Sequence, residues 1–213
     1  RFMGEYSRIV DEGTPVATAD RAVAGLAPMP PFVLLGLVGP AIALHNSETL
    51  HRAFGDRFHV SPSLRRLVES GKRGYYLMEG GRPVPDPEVL AMAEQPENPV
   101  ELSVEEARER ILGVLATEVG LMLSEGVVAA PMDIDLAMIT GAGFQFWNGG
   151  LCPLLDREGV SERVLGRRLL PAGVASVPAW SGGITRSGRS RGWMLRPLGF
   201  RTPRPAWVAI SHI

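Results

Sequence analysis

The stretch Asp133-Ile-Asp135-Leu-Ala-Met138-Ile-Thr-Gly141-Ala-Gly143-Phe144-Gln-Phe-Trp147-Asn-Gly149-Gly150 decides the fold, because an earlier part of the chain follows the same plan. Upstream of it, Leu121-Met-Leu-Ser-Glu125-Gly126 leads to Pro131 and then to Asp135. Near the start, Tyr6-Ser-Arg-Ile-Val-Asp-Glu12-Gly13 leads to Pro15, then to Ala19-Asp20-Arg21-Ala22-Val23, and Phe32 falls twelve residues after Asp20 just as Trp147 falls twelve after Asp135. Both pairs are offset by 115 residues. The pattern predicts a helix stopped at Glu-Gly, a proline turn, a second helix with an early Asp favoured by the positive N-terminal dipole, and then an aromatic. Two unrelated helical hairpins would match in part, but would not share both the punctuation and the aromatic. Asp20–Gly39 and Asp135–Gly150 are therefore expected to superpose, with Phe32 and Trp147 equivalent.

Working outward, apolar residues recur three and four apart far more often than they alternate, so the fold class is all-α. Leu112, Leu115, Val119, Met122 and Leu123 form one stripe of a helix that starts at the capping box Ser103-Val104-Glu105-Glu106 and stops at Gly126. Ser61-Pro62 predicts a cap for a short helix over 63–70, ended by Gly71. Phe2, Tyr6, Ile9 and Val10 open the chain at helical spacing without a cap before them, as if the helix had begun earlier. The apolar run from Phe32 to Leu44 is too short for a membrane span and reads as a core helix. Residues 79–101 hold five prolines and six acids, which favours an extended, solvated linker over a packed element. The domains read as a first repeat over 1–78, a linker over 79–101, a second repeat over 102–178 and a tail over 179–213.

The net charge of −1 is unevenly distributed. From Trp180 onward there are six arginines and no acid, leaving 16 basic against 23 acidic residues, or −7, on residues 1–179. The body thus lacks the field of a nucleic-acid binder. The tail, with Trp180, Trp193 and Trp207, could bind single strands by charge and stacking, but its lack of apolar periodicity favours a disordered extension. The single cysteine, Cys152, excludes an intramolecular disulfide framework and suits a cytoplasmic, reducing location; the first residues carry no export-signal pattern.

Candidate chemistry is sparse. Gly141-Ala142-Gly143 has Phe146 where a dinucleotide fingerprint needs glycine, and it follows a helical segment where the fingerprint needs a strand. His45 and His51, six apart, lie on opposite sides of a helix, and His59 and His212 have no neighbouring ligands in sequence, so structural or surface roles are expected and no metal site. Cys152, in Gly149-Gly150-Leu151-Cys152-Pro153, reads as a small buried hydrophobe before a nucleophile.

These motifs together resemble the paired C-terminal helical domains of 3-hydroxyacyl-CoA dehydrogenases, especially the multifunctional α-subunits of fatty-acid β-oxidation. Met29-Pro30-Pro31-Phe32-Val-Leu34-Leu-Gly36-Leu37-Val38-Gly39 is similar to that family's Pro-Met-Gly-Pro-Phe-x-Leu-x-Asp-x-Val-Gly segment, followed by Ala43-Leu44-His45 and Phe54-Gly55-Asp56. The stretch 133–150 is similar to its Asp-Ile-Asp-x-Ala-Met-x-x-Gly-x-Gly-Phe-Pro-Pro-Phe-x-Gly-Gly. Pro30, Gly36, Gln145 and Trp147 depart from the pattern within an intact frame. The resemblance covers about residues 1–178 and implies two tandem helical repeats, a role in an NAD-dependent oxidoreductase acting on acyl-CoA, and packing as a homo-oligomer or multienzyme-complex subunit. It also implies that NAD and the catalytic His/Glu pair sit on a Rossmann domain with no counterpart in this sequence, so no cofactor and no catalytic residue are assigned here. Met29 and Phe32 are the implied substrate-binding residues, lining an acyl or pantetheine chain; the competing reading makes Phe32 a core plug. The alternative function is a non-enzymatic helical assembly module or an inactive gene remnant.

Overall fold

The computed structural model describes residues 1–93 and 96–173, which belong to one compact unit. It is mostly helical: α1 Phe2–Asp11, α2 Val16–Ala22, α3 Pro31–Val38, α4 Pro40–Phe54, α5 Pro62–Glu69, α6 Pro87–Met92, α7 Val104–Ser124, α8 Pro131–Gly141, α9 Leu151–Arg157 and α10 Val160–Leu165. The hairpin of β1 Tyr76–Glu79 and β2 Arg82–Pro85 is the one sheet among the described residues. The expectations for residues 174–213, including the arginine-rich tail and His212, lie outside the described residues.

Helix α7 organises the core. Ser103 Oγ accepts from Glu106 N–H at 3.2 Å, and the Glu106 carboxylate accepts from Ser103 N–H at 2.8 Å, so the expected capping box is formed. Ile111, Leu112, Leu115, Ala116 and Val119 are buried, and α1, α2, α8, α9 and α10 pack around them. The start of α5 also follows the sequence, with Ser61 Oγ accepting from Leu64 N–H at 3.1 Å and Pro62 in the first turn, where no N–H is needed.

The two repeats agree in their first hairpin. Helix α1 ends on Glu12 (φ −80, ψ −7) and α7 on Glu125 (φ −82, ψ −4), each with its N–H directed to the carbonyls two and four residues back. A glycine at positive φ then turns the chain, Gly13 and Gly126 respectively. Asp20 and Asp135 are each the fifth residue of the following helix, α2 and α8. That position corrects the dipole explanation: both carboxylates lie beyond the first turn and are used for tertiary contacts. After this hairpin the repeats diverge. Phe32 sits in α3 and is 1% exposed, whereas Trp147 sits on a single 3-10 turn and is 65% exposed. The aromatic at the same spacing does not occupy the same environment, because the first repeat continues into an eight-residue helix and the second does not.

Two further readings are revised. The apolar run 32–44 is two helices, since Gly39 adopts φ 104 and Pro40, which cannot donate an N–H, starts α4 anew. Leu37, Val38 and Ile42 around this break are exposed instead of buried. Residues 79–101 are exposed over 79–85 and 97–100, as expected of a solvated segment, but they form a hairpin strand and a packed helix instead of an extended linker. Gly80 and Gly81, both at positive φ, close the hairpin, with Tyr76 paired to Pro85 and Glu79 to Arg82; its prolines stand on an edge strand that needs no further donors. Pro87 begins α6, whose Val89 is 2% exposed and which packs on α5, where Arg66 Nε donates to Met92 O at 2.7 Å. Further on, Val100 N–H donates to Glu12 O at 2.7 Å, and Thr14 bridges Val100 O and Leu102 N–H. Charged pairs then join the repeats, with Arg110 of α7 bonding Glu5 at 2.7 Å and also Glu12, and Arg57 bonding Glu118 at 2.6 Å.

Candidate functional site

Phe32, one of the two substrate-binding candidates, lies at the centre of an aromatic cluster. Its ring stacks on Tyr75 at 3.8 Å and 9° and meets Tyr6 edge-on at 4.8 Å and 87°. With almost no exposure and rings on two sides, it is a core residue; its burial follows from α3 being laid against α1 and the hairpin. Met29, the other candidate, is half-buried in the turn before α3. Neither residue lines the cavity that α1, α3, α4 and the start of α5 enclose, which measures about 240 Å³.

The cluster is tied down by Asp20. Tyr6 Oη donates to Asp20 Oδ1 at 2.5 Å, and Tyr76 Oη donates to Asp20 Oδ2. Burial pushes the Tyr6 hydroxyl far above its ordinary range, reinforced by the negative charge of Asp20 and the bond to it; Tyr76 rises for the same reasons, burial first. Neither phenol can serve as an acid or base near neutrality, so this group joins α1, α2 and β1 without carrying proton chemistry.

Asp135 does a different job in the second repeat. Its Oδ1 accepts from Cys152 N–H at 2.7 Å at the start of α9, while burial holds its carboxyl above the ordinary value against the lowering effect of that bond. A Cβ on Gly150 would lie 2.5 Å from Asp135 Cγ, and Gly150 has φ 122, so this backbone position requires glycine twice over. Cys152 is fully buried, and burial together with the Asp135 charge drives its thiol well above the usual range. This fits the buried-hydrophobe reading and not a nucleophile, which needs accessible thiolate.

Of the three histidines among the described residues, His45 is exposed, and His51 and His59 have structural partners. His59 Nε2 donates to Asp11 Oδ2 at 2.8 Å, and His51 Nδ1 donates to Phe58 O at 2.9 Å. The Asp11–His59 pair spans 48 residues and gave no local signal in the sequence. Among the described residues no group of three or more His, Cys, Asp or Glu side chains could hold a metal. Gly141-Ala142-Gly143 closes α8 with no strand before it, and the 3-10 turn at 146–148 follows. This segment is therefore not the strand-turn-helix cradle that a dinucleotide pyrophosphate needs.

Comparison with known proteins supplies the rest. Residues 1–81 match the family model described as the 3-hydroxyacyl-CoA dehydrogenase C-terminal domain. Residues 1–81 belong to this dehydrogenase C-terminal-domain family. The match takes in the Asp20 cluster, both candidates and the 240 Å³ cavity. Among curated relatives, the chain is 33% identical to the peroxisomal fatty acid beta-oxidation multifunctional protein AIM1 of Arabidopsis thaliana, over 62% of this chain and 20% of that protein. It is also 33% identical to the peroxisomal fatty acid beta-oxidation multifunctional protein of Oryza sativa subsp. japonica, over 71% of this chain and 23% of that one. With the fatty acid oxidation complex subunit alpha of Acinetobacter baylyi it shares 27% identity, over 76% of this chain and 25% of the subunit. The chain thus spans a quarter or less of these relatives. Coverage of 71% and 76% of this chain exceeds what residues 1–101 can supply, so the likeness to these relatives extends beyond the dehydrogenase-type domain into the second repeat. No helix among the described residues is long and apolar enough to cross a membrane.

Proposed function

We propose that this chain acts as the helical C-terminal portion of an NAD-dependent 3-hydroxyacyl-CoA dehydrogenase of fatty-acid β-oxidation, completing the substrate cleft and presenting packing surface to a second domain or subunit. The observation that carries the reading is the family match over residues 1–81, joined to multifunctional β-oxidation relatives several times longer than this chain. The reaction would be hydride transfer between the C3 carbon of a 3-hydroxyacyl-CoA and nicotinamide. Since the relatives are several times longer than this chain and Gly141–Gly143 is no pyrophosphate cradle, we place NAD and the acid/base pair on another domain. The exposed apolar residues Leu37, Val38 and Ile42, adjacent around the Gly39-Pro40 break, support the packing role, since a monomer gains nothing from leaving them in water. Met29, half-buried at the start of that segment, remains our candidate for the cleft, whereas Phe32 supports it from the core. The cytoplasm is our proposed compartment, supported by the single, buried cysteine.

The test is complementation. A separately expressed NAD-binding domain from a multifunctional relative is assayed for NADH formation from a 3-hydroxyacyl-CoA with and without this chain. The reading predicts turnover that rises with added chain and saturates. Equal rates in both arms would refute it.

A further inference from the structure

We infer that the first repeat binds a single internal water molecule, which donates to Asp11 Oδ1 and accepts from Tyr75 Oη. Both atoms are buried, and neither has a hydrogen-bond partner among the described residues. Asp11, the last residue of α1, is 7% exposed, and Tyr75, immediately before β1, is 1% exposed. A carboxylate oxygen and a phenol withdrawn from water are costly to leave unpaired. The two are also near neighbours. Burial is the main reason the Tyr75 hydroxyl lies above its ordinary range, and the charge of Asp11 is the next. An unpaired acceptor and an unpaired hydroxyl, buried close together, mark the place of a small molecule that both donates and accepts. The inference does not require the dehydrogenase reading to hold.

The surroundings explain why the phenol and the carboxylate do not meet directly. Stacking on Phe32 at 3.8 Å fixes the Tyr75 ring, and Asp11 is held from its other oxygen, Oδ2, by His59 Nε2 at 2.8 Å. Neither side chain is free to swing toward the other. In the same cluster Tyr6 and Tyr76 do reach a carboxylate, that of Asp20, so direct phenol–carboxylate bonds form here wherever the backbone allows them. Ser61 offers a third contact. It stands beside the Tyr75 hydroxyl without closing a hydrogen bond to it, and its Oγ accepts from Leu64 N–H at 3.1 Å, which leaves its own proton to give. Internal waters make about three hydrogen bonds, and Asp11, Tyr75 and Ser61 supply that number. A neutral molecule suits the place better than a cation, because the positive charge of Arg66 is also felt at Tyr75. A ligand in the 240 Å³ cavity would meet His59 instead, since neither Asp11 nor Tyr75 lines it. The water thus links the end of α1, the cap of α5 and the start of the hairpin.

The test joins a crystal structure of the 213-residue chain, at a resolution that shows ordered solvent, to deuterium magnetic relaxation dispersion, which counts long-lived internal waters in solution. Density for one water is expected within about 2.5–3.0 Å of both Asp11 Oδ1 and Tyr75 Oη. Tyr75→Phe keeps the ring on Phe32 and removes only the hydroxyl, and it should lose one long-lived water from the count. Ser103→Ala, whose hydroxyl caps α7 and takes no part in the site, should lose none. A direct bond from Tyr75 to Asp11 or Ser61, with no density between them, would overturn the inference, as would an unchanged count in Tyr75→Phe. A peak that acquires anomalous signal in crystals soaked in rubidium chloride would assign the place to a cation and overturn the water. If Tyr75→Phe does not fold, the parent crystal structure decides alone. Failure here leaves complementation by the NAD-binding domain unaffected, so the two readings fail separately.

Discussion

Replacing Phe32 by alanine removes a side chain that is 1% exposed, stacked on Tyr75 and edge-on to Tyr6. A buried phenylalanine truncated in this way costs about 3–5 kcal/mol, the sum of lost transfer energy and the cavity left behind. The upper half of that range is expected, because each aromatic pair adds roughly 0.5–1.5 kcal/mol to simple burial. The gap is also hard to close, since Asp20 holds Tyr6, one of the two rings against Phe32, in place. For a chain of this size, 1 kcal/mol corresponds to a shift of about 2–4 °C in Tm, so the midpoint should fall by roughly 8–20 °C. Urea unfolding followed by far-ultraviolet circular dichroism should report the same loss with an unchanged slope, and Phe32→Leu, which keeps most of the volume, should lose about 1.5 kcal/mol or less. A Phe32→Ala variant within 1 kcal/mol of the parent would refute the core assignment and return this residue to the substrate cleft.

Three other substitutions probe separate parts of the fold. Ser103→Ala should cost about 1 kcal/mol by uncapping α7, read from the urea midpoint. Its partner Glu106 is held below its ordinary 4.5 by the Ser103 backbone N–H, so its contribution is present above that pH and is lost as pH falls through the lowered value; Glu106→Gln should flatten this part of the acid-unfolding curve. Gly150→Ala should destabilise by roughly 2–4 kcal/mol, since it places a Cβ against Asp135 at positive φ, and Gly166→Ala, also at positive φ but with open space around it, should cost less in the same melting assay. Arg110→Met leaves the buried Glu5, among the described residues, with Arg8 at 3.9 Å as its remaining ion pair and should cost roughly 1–3 kcal/mol, a range reduced for the partial exposure of Arg110; retained stability would mean that the apolar face of α7 alone joins the repeats.

What could be read from the sequence was what short spacing determines. The cap at Ser103, the cap at Ser61 and the Glu-Gly stops of α1 and α7 are written within a few residues, and the structure reproduces them. The Gly39-Pro40 break was equally local, but the apolar character of 32–44 outweighed two residues that cannot continue a helix. At 79–101 the prolines suggested an open linker, although Gly80-Gly81 is a hairpin-turn signal and Pro87 suits the first turn of a helix. The site was less legible because its pairings are distant in sequence. Tyr76 reaches Asp20 across 56 residues and His59 reaches Asp11 across 48, so no local pattern announces either. Whether Phe32 lined a cleft or filled a core depended on Tyr75, which the hairpin brings over its ring.

The most direct test of where the chemistry resides is NADH formation by this chain alone. Purified protein is supplied with NAD and a 3-hydroxyacyl-CoA, and cofactor reduction is followed by absorbance through successive purification steps. Because NAD and the acid/base pair are proposed to lie on another domain, the account predicts no rate above the protein-free control, since orientation by a cofactor domain supplies most of the acceleration. A turnover that co-purifies with the chain at constant specific activity would contradict it.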